Sequence, residues 1–147
     1  MKTESEIIAL SEIKLKAAEL LLKNGFFEDA YYLGGYAFEL ILKARICKIL
    51  CIPNFFETDK SKLKPFGKNT DKIDRSYKVH DYKELIILSG LYKEFSNKLT
   101  DPIFMADWSV IEMWTEEHRY LSGKKQIEVE SFINSQKNMT SWVLSHL

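Results

Sequence analysis

Cysteine is scarce in this chain, with two in 147 residues, Cys47 and Cys51. They stand four apart in an apolar helical pattern, a spacing poor for a disulfide on a straight helix, so reduced core thiols are expected. Three histidines and no His/Cys cluster leave a metal pair without its remaining ligands, so no metal and no cofactor are expected. Neither sign of charge is in excess, because 21 Lys/Arg meet 21 Asp/Glu. That balance excludes attachment to nucleic acid or membrane by bulk charge and leaves only a local patch. No apolar run approaches the length of a membrane span, and the opening MKTESEIIAL has no apolar core of signal-peptide length. A cytoplasmic chain away from membranes is therefore expected. Strand-like alternation and internal repeats are also missing.

What is present is helical. With 46% hydrophobic residues the length suits one domain, 1–147, with a single core. Thr3 and Glu6 have capping-box spacing, and Ile8, Leu15, Ala18 and Leu22 follow at helical intervals up to Asn24-Gly25, a stop signal. Glu12–Lys16 and Glu19–Lys23 read as i, i+4 pairs on the wet side. A second helix is expected from about Phe27 to Cys51, buried along Ala30, Leu33, Ala37, Ile41, Ala44 and Cys47. Gly34 and Gly35 inside it cost about 1 kcal/mol each against alanine, a cost that close approach of a neighbouring helix would justify. Glu39–Lys43 reads as a surface pair unless Glu39 turns inward.

Residues of about 53–79 lack any sustained period and read as a long loop between the second and third helices. From Glu57 to His80 this stretch holds seven basic residues against four acidic ones, the most basic patch in the chain. Asp81 and Glu84 then mark a third helix start, which sets His80 beside a helix N-terminus, where free N–H groups favour an anion. Gly90 ends that helix, and Leu91 to Leu99 read as a short one. Asp101-Pro102 restarts the chain, with a fourth main helix to about Tyr120 and a stripe of Ile103, Val110 and Trp114, beside which lie Phe104, Trp108 and Ile111. The last helix is expected over Gln126 to Leu147. Tyr31, Tyr32 and Tyr36 can stack a base but at helical spacing read as core and interface. The fold class is all-α, an up-and-down antiparallel bundle of four main helices plus a short extra one.

Four segments, in this order, resemble the HEPN domains: AAELLLKNGFFEDAYYLGGYAFELILKA (17–44), HDYKELIILSGL (80–91), WTEEHRY (114–120) and SFINSQKNMTSWV (131–143). The resemblance implies a small helical module, often a homodimer, in toxin–antitoxin or defence systems and paired with a nucleotidyltransferase-type antitoxin. Many such domains are metal-independent endoribonucleases, and others bind nucleotide, RNA or a protein partner without catalysis. Catalytic members carry Arg, four to six residues, then His, late in the fold. There the arginine would stabilise the scissile phosphate and the histidine move a proton.

Arg119 holds the late position, and no histidine follows it within six residues. That departure favours a binding module, whose nucleotide or phosphate contacts would be His80, Asp81, Arg119 and Tyr120. Arg75 and His80 do have the spacing, ahead of the third helix. The alternative is accordingly an endoribonuclease with His80 catalytic, assisted by Arg75 or Arg119. A dimeric scaffold without catalysis is a third reading. Arg119 also suits an ion pair with Glu112 or Glu116, and His118 suits a partly exposed surface site.

Overall fold

A computed structural model describes residues 3–52, 55–56 and 75–147; the expected basic loop lies largely outside the described residues. Among the described residues there are α-helices and a 3-10 turn but no strand, so the chain is an all-α helical bundle. The helices are α1 (Glu4–Lys23), α2 (Phe27–Leu50), α3 (Tyr82–Leu88), α4 (Tyr92–Lys98), α5 (Pro102–Ile111) and α6 (Gln126–Leu144). The 3-10 turn covers Glu116–Tyr120. No helix among the described residues is long and apolar enough to cross a membrane.

The local signals at helix starts act as expected. Thr3 and Glu6 form a reciprocal capping box on α1, Asp81 caps α3, and Asp101 with Pro102 opens α5. The α1–α2 hairpin turns at Gly25, φ 84°, and α2 ends as Cys51 takes the left-handed conformation, φ 52°.

Helix α2 is the axis of the bundle. Ala30, Ala37, Ile41, Ala44 and Cys47 are buried as expected, but so are Phe38, Glu39, Leu42 and Ile46 on other faces. It packs against α1 on one side and against α6, the 3-10 turn and α3 on the others. Gly34 and Gly35 serve two different neighbours. A Cβ on Gly34 would meet Ile133 of α6, and one on Gly35 would meet the indole of Trp114. A second aromatic cluster of Phe95, Phe104, Trp108 and Trp142 joins α4, α5 and α6.

Several expectations are corrected. The fourth helix does not run to Tyr120 but ends at Ile111. Trp114 leaves the helical path to bury its ring at 2% exposure against Tyr82 and Gly35, and burial of that large surface outweighs one more helical turn. The stripe is also rotated. Phe104, Trp108 and Ile111 face the core, whereas Ile103 is 74% exposed and Val110 37%. Glu19 pairs across to Lys137 at 2.6 Å, not along its own helix to Lys23. Of the two free thiols Cys47 is buried, but Cys51, beyond the helix end, is exposed.

Candidate functional site

The polar centre of the molecule begins with a carboxylate in the wrong place for a surface pair. Glu39 has no solvent exposure. It lies in the middle of α2, where residues 37–42 are all buried and every face meets a neighbour. A buried charge persists only where it is paired and hydrogen-bonded. Lys43 Nζ sits 2.6 Å from Glu39 Oε1, and His80 Nδ1 lies 3.0 and 3.1 Å from the two carboxylate oxygens. Lys43 itself is nearly covered, with its ammonium over the Phe56 ring.

The other ring nitrogen of His80 points to the opposite wall. Nε2 is 3.1 Å from Glu116 Oε2 at the start of the 3-10 turn. A cleft of about 440 Å³ opens here, lined by Val79, His80, Asp81, Glu84 and the stretch Trp114–Glu117. Trp114, which lines it, stacks on Tyr82 at 5.1 Å, 8° from parallel. The Tyr82 hydroxyl donates to the Gly35 carbonyl at 2.7 Å. Burial, and secondarily the Glu39 charge, pushes the Tyr82 phenol well above the ordinary tyrosine range. Tyr36 is raised for the same two reasons in the same order.

The sequence candidates separate. His80 and Asp81 line the cleft. The Asp81 carboxylate accepts from the Lys83 and Glu84 N–H groups at 2.8 and 3.1 Å. Two of the N–H donors expected to greet an anion at this helix end are therefore already engaged. Arg119 is exposed with its guanidinium over the Tyr120 ring, not in an ion pair with Glu112 or Glu116. Glu112 meets Lys83 and Glu116 meets His80. Arg75 is exposed on a short helical turn before the cleft. The described contacts of the His80 ring are with Glu39 and Glu116, and neither arginine shares them. His118 is half-buried, its ring 4.8 Å from that of Tyr31, and its Nδ1 accepts from the Thr115 N–H at 3.0 Å.

Glu39 and Glu116 are the two residues that sequence reasoning left out of the site. A signal for the first existed: Glu39 is the lone acid in the run FELILKARICKIL, set directly between Phe38 and Leu40-Ile41-Leu42 with no polar neighbour on either side. None existed for Glu116, which reaches His80 only because the chain breaks helix at Ile111. Among the described residues no group of three His, Cys, Asp or Glu side chains could hold a metal ion. No protein-family model, curated protein or solved structure matches the chain.

Proposed function

We propose that this chain is a HEPN-like helical binding module of a toxin–antitoxin or defence system, and that it holds a partner without cutting it. One observation carries the reading: both ring nitrogens of His80 are engaged by carboxylates, Glu39 and Glu116, in a cleft that also carries Asp81, Glu84 and Glu117. While the ring is charged and donates to both carboxylates, it has no lone pair with which to take a proton from a ribose hydroxyl. The surrounding acids repel phosphate and favour a cation. Of the ligand classes that the HEPN resemblance suggests, the acidic lining favours a protein partner that presents Lys or Arg over a nucleotide or RNA. A nucleotidyltransferase-type antitoxin and a second copy of the chain are the partners to test.

The test is a 15N NMR titration of the full chain with a lysine/arginine-rich peptide, with ATP and with single-stranded RNA. The peptide is expected to shift the amides of residues 79–84 and 114–117, and ATP and RNA to leave them in place. Shifts with ATP or RNA alone would overturn this choice of ligand.

A specific observation favours a second reading, the metal-independent endoribonuclease. Buried Glu39 against Nδ1 is the arrangement in which a carboxylate orients a catalytic imidazole, and the exposed guanidiniums of Arg75 and Arg119 remain available for phosphate. That enzyme would cleave RNA with metal chelated, lose the activity in His80→Ala and slow growth on expression. Intact RNA in all these assays would end the nuclease reading.

A further inference from the structure

One imidazole joins the two walls of the cleft. Nδ1 of His80 meets Glu39 of α2, and Nε2 meets Glu116 of the 3-10 turn. A neutral imidazole carries one N–H and the imidazolium two. Both contacts are therefore charge-assisted hydrogen bonds only for the imidazolium. In the neutral ring one nitrogen turns a lone pair toward an ionised carboxylate. We infer that His80 is a proton-operated clasp: charged, it ties the 3-10 turn to α2, and neutral, it keeps Glu39 and releases Glu116, opening the cleft.

Burial decides which bond survives. Glu39 has no exposure, and Lys43 reaches only its Oε1, so loss of the His80 donor would leave the buried Oε2 unpaired. Glu116 is 40% exposed at its side chain, and water replaces the ring there at little cost. The remaining proton therefore stays on Nδ1. Charge then drives the release of the turn. Lys43 at 2.6 Å already balances Glu39, whereas Glu116 shares the cleft with Asp81, Glu84 and Glu117. Once the imidazolium is gone, those carboxylates repel one another. On the α3 side the two remaining polar groups are occupied, Asp81 by the helix cap and Lys83 by Glu112 at 3.5 Å.

The sign follows from the two partners. The clasp is closed while His80 is protonated and Glu116 is ionised. It opens as pH rises and the ring gives up its charge, and again in acid as the Glu116 carboxylate takes a proton. His118, inside the turn, is a separate ring: its Nδ1 accepts from the Thr115 N–H when unprotonated and lies 3.1 Å from the Thr115 carbonyl, to which it donates when protonated. The two rings must be read separately, and the clasp works whatever the cleft holds.

Ring 15N NMR and amide hydrogen exchange on the full chain supply the test, with His80 and His118 assigned individually. After correction for intrinsic exchange, opening of residues 115–121 is expected to rise about threefold along the His80 titration curve, as for loss of a half-exposed ion pair. The neutral His80 ring is expected to carry its proton on Nδ1. Glu116→Gln, at a half-exposed position, should exchange at the open level at every pH while His80 still titrates. Exchange that follows only His118, a neutral ring protonated on Nε2, or a step along the His80 curve retained in Glu116→Gln would each overturn the clasp. The ring tautomer is read in the wild-type chain, so the clasp stays open to refutation even if the variant fails to fold.

Discussion

Both oxygens of the Glu39 carboxylate lie within 3.1 Å of Nδ1 of His80, 41 residues away in sequence. This pairing crosses from the central helix to the turn ahead of α3 and sets a polar triad, completed by Lys43, beside the aromatic core. Removal of Glu39 leaves the nearly covered Lys43 ammonium without its carboxylate. Glu39→Ala is expected to destabilise the fold by about 3 kcal/mol, in the range for a broken buried pair. Glu39→Gln, which keeps the shape and an acceptor, should cost less. Urea unfolding of the two variants checks the order, and equal stability of wild type and Glu39→Ala would contradict the triad.

The adjacent glycines of α2 should respond differently to alanine. At Gly34 the new methyl meets Cδ1 of Ile133, the far end of a flexible side chain. There the helix gain of about 1 kcal/mol offsets the crowding, and stability should hardly change. At Gly35 the methyl would strike the Trp114 indole, a rigid ring packed on Tyr82. Overpacking of about 1–3 kcal/mol is expected. Thermal unfolding of both variants reads the contrast, which would be lost if the two melted together.

An acid-dependent contribution comes from the turn before α6. Glu28 of α2 accepts hydrogen bonds from the Gly123 and Lys124 N–H groups at 2.7 and 3.0 Å. Backbone N–H groups, its own first and then that of Gly123, hold its carboxyl below the ordinary value of 4.5. A depressed folded value stabilises the ionised state. The contribution is therefore complete above the unfolded value and lost as pH falls through the folded one. Glu28→Gln should flatten the acid limb of a stability–pH curve and speed amide exchange at Gly123 and Lys124 below neutrality. An unchanged acid limb would show the tie to be inert.

The two cysteines should behave as different chemical species. Burial pushes the Cys47 thiol up to about 11, while Cys51 stands exposed beyond the helix end. Only the thiolate reacts with disulfide reagents. One thiol per chain should be titrated quickly in the native protein at neutral pH, and two in denaturant. Cys51→Ser should abolish the fast phase, and fast modification of Cys47 in that variant would contradict its burial.

Much of the fold was legible along the chain because its signals are local. Thr3 with Glu6, Asp81, Asp101 with Pro102, and the glycines at 25 and 90 act within a turn of themselves, and the helix ends follow them closely. The apolar period of α2 likewise marked the buried side of the most central element. Where a decision needed a distant partner, the pattern misled. The fourth helix stops ten residues in because Trp114 finds a slot at Gly35, and Ile103 faces solvent because the other stripe of α5 meets Phe95 and Trp142.

The order of residues alone dictated a helical chain of balanced charge, the caps and breaks that divide it, and a histidine set just ahead of a capped helix. These are short-range consequences of side-chain and backbone chemistry. That this histidine meets acids instead of arginines was settled only by packing in three dimensions. Glu39 and Glu116 lie far from it along the chain, and they reach it because burial of Trp114 and of the α2 faces outweighs what each segment would prefer alone.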